Sequence, residues 1–303
     1  MNTNQKTSQG YVTKEINETW KCITLRNNFL FFKIMQDEKR LQELLRRVLP
    51  EINIKKLKVV GEKTIQAGVD IHGVRLDVYA EDESGRPFTI EMQVNNTDNI
   101  PKRMRFYSSM VDSQVLDKGE RYEELPDSFI VIICCFDLYG MGLHKYSFRA
   151  KCDQVDGLAM GDGVKYVVLN TTSFADDVDS DLRAFLDYVE GRDVKDDSYI
   201  AELDEAVVKA RMNKRWRKEY MTVEQERMHR DSFVERRGEE RKLISQVVRK
   251  MQIGQEDTEI AEDLMEELDS VRRIMQAANE CGPTAEINEV YNYIHRNDGY
   301  EKI

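Results

Sequence analysis

Histidine and tryptophan are scarce in this chain, at four and two of 303 residues, and no apolar run is long enough to cross a bilayer. The longest, FIVIICCF at 129–136, falls far short of the ~20 residues that a membrane-spanning helix needs. The opening residues, MNTNQKTSQGYVTKEINETW, are polar and carry no apolar stretch of the leader type, so the cytoplasm is the expected site of action. The histidines stand at 72, 144, 229 and 295 without an H-x-x-x-H pair, and the five cysteines include no C-x-x-C. Neither pattern supports a zinc site, and reduced thiols are expected. Cys134 and Cys135 are neighbours in an apolar segment, where a strand would send them to opposite faces as packing residues.

Net positive charge is lacking too. Lys and Arg number 45 against 56 Asp and Glu, a formal charge of −11, which argues against a nucleic-acid partner if the chain is taken as a whole. The distribution is uneven, however. Residues 205–250 hold fourteen Lys or Arg against eight Asp or Glu, whereas 256–269 hold eight acids and no base. Any contact with phosphates would therefore be local.

A chain of this length can bury a core and carry a smaller module. Residues 27–49 repeat apolar positions every three or four residues and stop at Pro50, which predicts a helix, broken near Asp37. Three strand-like runs follow, at 54–60, 74–81 and 87–94, the last two joined by the turn DESGR. A helix is expected over 100–116, opened by Pro101 and closed at 117–119. The run 128–136 is apolar on both faces, as a covered central strand would be, and 145–149 and 164–170 add further strands. Beyond Gly191 the composition changes. Residues 201–252 contain one Gly and no Pro, the pattern of long solvated helices, and a last helical pair is expected at 256–280 and 286–296. The expected division is a polar tail at 1–24, an α/β core at 25–192 and a helical region at 193–303. No internal repeat or low-complexity tract interrupts it.

In TIEMQV, Glu91 and Gln93 share one face of a strand, and Asp77 lies on the strand before it. Two carboxylates converging from antiparallel strands form a hard, oxygen-rich site suited to Mg²⁺, Mn²⁺ or Ca²⁺. Such an ion can hold a scissile phosphate and acidify a water. Gln93 takes the place where nucleases often carry Lys. An amide can orient water, but it brings no charge and no base. The same alternation also describes a hairpin with a solvent-facing polar side.

The ordered blocks RLDVYAEDESGRPFTIEMQV, IPKRMRFYSSMVDSQVLDKGERYEEL and FRAKC resemble the PD-(D/E)XK nuclease family transposases, also called recombination-promoting nucleases, over residues 25–173. The resemblance implies a restriction-endonuclease-like fold: an α/β mixed sheet flanked by helices, here with an α-helical C-terminal extension. It implies a metal-dependent DNA endonuclease with Asp77 and Glu91 as metal ligands, the Met92 carbonyl as a further ligand, and Gln93 at the Lys position. Arg103, Tyr107 and Gln114 fall on about one face of the next helix, within reach of phosphate or water. Gln114 is the stronger candidate among them, since relatives of the fold sometimes place an active-site polar group on that helix, and Glu43 on the first helix is a further candidate ligand, as a helix carboxylate is in some such nucleases. Tyr107 also suits packing against the sheet, and Arg103 suits pairing with an acid.

One departure is Asn27-Asn28-Phe29, where family members often read Asn-Asp-Phe. The segment 251–274 resembles the family's tail motif and faintly a helix-turn-helix. Its acids, Glu262, Asp263, Glu266, Glu267 and Asp269, favour packing or homo-oligomer formation over phosphate contact. DNA is the expected partner and no membrane is expected. Two other readings remain open: a catalytically silent DNA-binding protein that keeps the fold, and a scaffold of charged helices that assembles partners.

Overall fold

The computed structural model describes residues 15–65, 74–116, 119–282 and 286–296. Residues 1–14 of the expected tail and the expected helix stop at 117–118 lie outside them. The chain divides into two compact units, Met1–Met221 and Thr222–Ile303. Among the described residues, no helix is long and apolar enough to cross a membrane.

In the first unit, residues 15–21 are helical (α1), and the segment read as one broken helix forms α2 (Asn28–Met35) and α3 (Glu38–Val48). The break lies where Asp37 turns its carboxylate onto the N–H groups of Lys39 and Arg40, both at 3.1 Å, and caps the second helix. Asn27 caps α2 in the same way, accepting from Phe29 and Leu30. The cap is therefore the first Asn of the motif. Asn28, which stands where relatives often carry Asp, is the exposed first residue of α2.

The strands are β1 (Leu57–Ile65), β2 (Val74–Asp82), β3 (Pro87–Gln93), β4 (Ser128–Cys134), β5 (Lys145–Phe148) and β6 (Val164–Asn170), in sheet order β1-β2-β3-β4-β6-β5. β1, β2 and β3 form an antiparallel meander. β4 joins β3 in parallel after α4 (Ile100–Val115), β6 runs parallel to β4, and β5 closes the edge antiparallel. The sheet is mixed and flanked by helices, as expected. The first strand begins later than its apolar pattern suggests, because the Gln42 side chain draws the Ile54 and Lys55 carbonyls toward α3. In the β2–β3 turn Asp82 accepts from the N–H groups of Ser84 and Arg86, and Gly85 takes the left-handed φ of +75°.

Register fixes the two faces of the sheet. Thr89, Glu91 and Gln93 lie level with Ile130, Ile132 and Cys134, and α4 covers that side with Ile100 and Met104. Phe88, Ile90 and Met92 share the opposite side with Phe129, Val131 and Ile133, and Phe88 stacks on Phe129 at 4.9 Å. Lys145, which register puts on this second side, donates to the Val48 carbonyl at the end of α3, so α3 lies across the sheet from α4.

Two further helices, α5 (Ser180–Glu190) and α6 (Ser198–Met212), pack against α3, and α6 also against α2. The sequence places a boundary at 192/193, between these helices. The compact units part at 221/222, because Leu203, Ala206, Val207 and Ala210 bury α6 within the first unit.

α7 (Lys214–Gln252) starts in the first unit, its first turn capped by Asn213, and continues through the second. There α8 (Asp257–Leu264), α9 (Leu268–Cys281) and α10 (Ile287–His295) enclose Ile244, Val247, Ile260, Val271, Ile274 and Val290. The single helix expected at 256–280 is thus two helices. Met265 adopts a left-handed φ of +54° and ends α8.

Candidate active site

The ladder between β2 and β3 runs from Glu81↔Pro87 to Val78↔Ile90 and stops. The next residues in that register are Asp77 and Glu91. Like charges directly opposite each other oppose strand pairing, which accounts for the hairpin opening at this point. β3 remains paired to β4 as far as Gln93↔Cys134, so the opening lies on the β2 side alone. The Gln93 carbonyl accepts from the Cys135 N–H on the β4 side. Strand alternation then turns the neighbouring Met92 carbonyl toward the gap beside β2. The Met92 side chain points the other way, its sulfur 3.9 Å from that of Cys135.

Glu91 is only 4% exposed, and its Oε1 is buried without a hydrogen-bond partner. Burial first, and then the charge of Asp77, push its carboxyl up to about 8, against the opposing pull of Arg103 and a hydrogen bond from Tyr107. Asp77 is half-buried. The Tyr107 hydroxyl is held above its ordinary range, chiefly by burial and then by the Glu91 charge.

Arg103 reaches this group from the first turn of α4. One Nη2 donates to Gln93 Oε1 and lies 3.5 Å from Glu91 Oε2, and its guanidinium stands 5.8 Å from the Tyr107 ring centre. The Gln93 amide is anchored at both ends: its oxygen faces Arg103, and its Nε2 donates to the Asn95 carbonyl at 2.7 Å. These partners settle which end of the amide is oxygen.

Five of the residues singled out from sequence, Asp77, Glu91, Gln93, Arg103 and Tyr107, are therefore gathered at the open end of the hairpin, with the Met92 carbonyl turned toward it. Two are not. Glu43 lies on α3, across the sheet, where Arg46 and Arg47 hold its carboxylate at 2.7–3.0 Å and below its ordinary pKa, so it is no ligand to an ion between Asp77 and Glu91. Gln114 is exposed, and at 1.5 Å rise per residue it sits roughly 10 Å along α4 beyond Tyr107. Two further residues join the site. Asn95 anchors Gln93 through its carbonyl, which no residue type announces. Thr89 shares the face of Glu91 with a buried, unpartnered hydroxyl, and the i, i−2 alternation was its only signal.

The arrangement fits a hard divalent cation. Its donors are oxygens alone, one of them buried and unpartnered, and two carboxylates with a carbonyl suit an ion that keeps several waters for a substrate phosphate. Among the described residues, no group of three or more His, Cys, Asp or Glu side chains gathers at a site, so a closed protein cage is not what these residues build.

A family model described as PD-(D/E)XK nuclease family transposase matches residues 26–236. No curated protein matches the chain, and no solved structure matches it.

Proposed function

Since the chain belongs to the PD-(D/E)XK nuclease family transposases, we propose that it is a divalent-metal-dependent DNA endonuclease whose site is the opening between Asp77 and Glu91. The observation that carries this reading is the buried, unpartnered Glu91 Oε1 at the point where the carboxylate-bearing strands part. Asp77, Glu91 and the Met92 carbonyl are the proposed ligands, with Mg²⁺ as the expected ion and Mn²⁺ or Ca²⁺ as alternatives. When bound, the ion supplies positive charge to the phosphate and acidity to the attacking water. In the hydrolysis the water oxygen adds to phosphorus, the bond to the leaving sugar oxygen breaks, and that oxygen gains a proton while the water yields one to solvent. Tyr107 keeps Glu91 oriented through its hydroxyl, and Gln93 fixes the geometry at the end of β3.

Contact with the DNA backbone is proposed for α7. Arg241, Lys242 and Arg249 line an open groove of about 900 Å³ in the second unit, together with Ser245, Asn288 and one carboxylate, Glu286. None of the three cations has a carboxylate partner among the described residues, although the unit is rich in acids. Arg241 also stands over the Tyr291 ring at 5.1 Å, and three cations without a carboxylate partner in one groove suit a run of phosphates.

A catalytically silent DNA-binding protein is the second reading, favoured by the neutral Gln93 in the lysine place and by its engagement with Arg103. Nicking of supercoiled plasmid in Mg²⁺, Mn²⁺, Ca²⁺ and EDTA separates the two. Metal-dependent nicking supports the enzyme, and DNA retention without nicking in any metal supports the silent binder.

A further inference from the structure

We infer that Arg103 is the cation of this site, standing in from α4 for the lysine that β3 lacks and binding an oxygen of the scissile phosphate, with Gln93 as the residue that positions it. The inference rests on the nuclease reading and names a residue that acts in it.

The first support is the direction of the Gln93 bonds. Its oxygen accepts from Arg103 and its nitrogen donates to the Asn95 carbonyl, so the amide bridges the backbone after β3 to the guanidinium. A lysine at 93 would project its own charge into the opening. Here the strand offers an acceptor instead, and the charge arrives from the helix.

The second support is that the ion pair with Glu91 is incomplete on both sides. A guanidinium that serves only to satisfy a buried carboxylate commonly does so through two parallel bonds. Arg103 stands 3.5 Å from one Glu91 oxygen, while the other Glu91 oxygen and the Arg103 Nε are both buried without partners. The unused acceptor suits a cation and the unused donor suits an anion. A metal ion with its phosphate supplies one of each.

The third support is access. The Arg103 side chain is 24% exposed and the Glu91 side chain 6%, so a substrate arriving from solvent meets the guanidinium first. Its planar fork matches phosphate geometry better than an ammonium does, and the Tyr107 ring beside it limits its swing.

The test uses the full chain, with nicking of plasmid and binding of Mn²⁺ measured separately on wild type, Arg103→Met, Arg103→Lys and the double variant Arg103→Met/Gln93→Lys. Thermal melts check that each variant folds. Arg103→Met is expected to slow nicking about 100-fold, the scale of losing one charge-stabilising donor, while Mn²⁺ binds as tightly as before or tighter, because a competitor for Glu91 has gone. Arg103→Lys keeps more activity than Arg103→Met, and the double variant regains at least tenfold over Arg103→Met by restoring the charge on β3. Three results overturn the inference: unchanged nicking by Arg103→Met, a loss of Mn²⁺ affinity that parallels the loss of nicking, or no recovery in the double variant. A wild-type chain that never nicks overturns the nuclease reading itself, and is thereby told apart from these.

Discussion

Asp77 and Glu91 are the first residues past the last pair of the β2–β3 ladder, placed opposite each other where the hairpin opens. A sheet gains nothing from two facing carboxylates, one of them almost fully buried. Burial first, and the facing Asp77 charge second, hold the Glu91 carboxyl far above its ordinary range, and a divalent cation between the two carboxylates would offset both by favouring the charged form. Local instability and proposed chemistry thus have one origin.

Replacing Asp77 tests the chemistry directly. Asp77→Ala removes a proposed ligand from a half-buried position without opening the core, so far-UV circular dichroism stays that of wild type. Metal-dependent nicking falls by about a thousandfold or more, since the ion contributes several kcal/mol to the transition state. A cleavage rate equal to wild type removes Asp77 from the mechanism.

Glu91 gives a pH dependence of definite sign. Burial and the Asp77 charge push its carboxyl in the folded chain up to about 8, above the ordinary 4.5, so the folded chain holds an extra proton between these values. The associated stability is fully present below about pH 4.5 and is lost as pH rises through about 8, a change on the order of a few kcal/mol. In EDTA the melting temperature therefore falls across this window from this group's contribution. Glu91→Gln abolishes that contribution, and saturating Mn²⁺ offsets it. A Glu91→Gln variant with the wild-type pH slope would falsify the assignment.

Much of this site is legible in the sequence. Alternation of period 2 fixes which residues of β3 share a face, and the DESGR turn fixes its register against β2, so Asp77 and Glu91 could be paired from local pattern alone. Pro101 located the start of α4 in the same way. The bond from Arg103 to Gln93 was not legible, because it depends on how a helix packs across a strand. Nor was the side of the sheet that α3 occupies: the spacing of Leu41, Leu44 and Leu45 shows that a face is buried, not against which surface. The sequence alone therefore leaves Glu43 as a candidate ligand. The stop at Met265 was hidden for a different reason, since a left-handed turn at a residue other than Gly leaves no mark in the apolar pattern.

The role found for Glu43 can be separated from a metal role. Arg47 is 5% exposed and forms a two-pronged pair with Asp197 at 2.7 and 2.9 Å while also holding Glu43. Arg47→Met leaves both carboxylates without this partner and lowers stability by about 3 kcal/mol, read from urea denaturation. Glu43→Gln leaves Mn²⁺ affinity within about twofold of wild type. A tenfold loss of affinity in Glu43→Gln would return it to the list of ligands.

The groove on α7 makes a prediction about salt. If Arg241, Lys242 and Arg249 each meet a phosphate, each accounts for roughly 0.9 of the slope of log affinity against log salt on a duplex. Changing all three to Gln then lowers that slope by about 2.7 and weakens binding evenly across sequences, because backbone contacts carry no base information. Fluorescence anisotropy with two labelled duplexes of unrelated sequence, titrated from low to moderate salt, reads both effects. The substitutions lie at exposed or half-buried positions outside the cluster formed by Ile244, Val247 and Val290, so folding is retained. The proposed catalytic residues belong to the first unit, and nicking at saturating protein should change far less than affinity. An unchanged slope would mean that phosphates bind elsewhere and that the groove's charge serves another purpose.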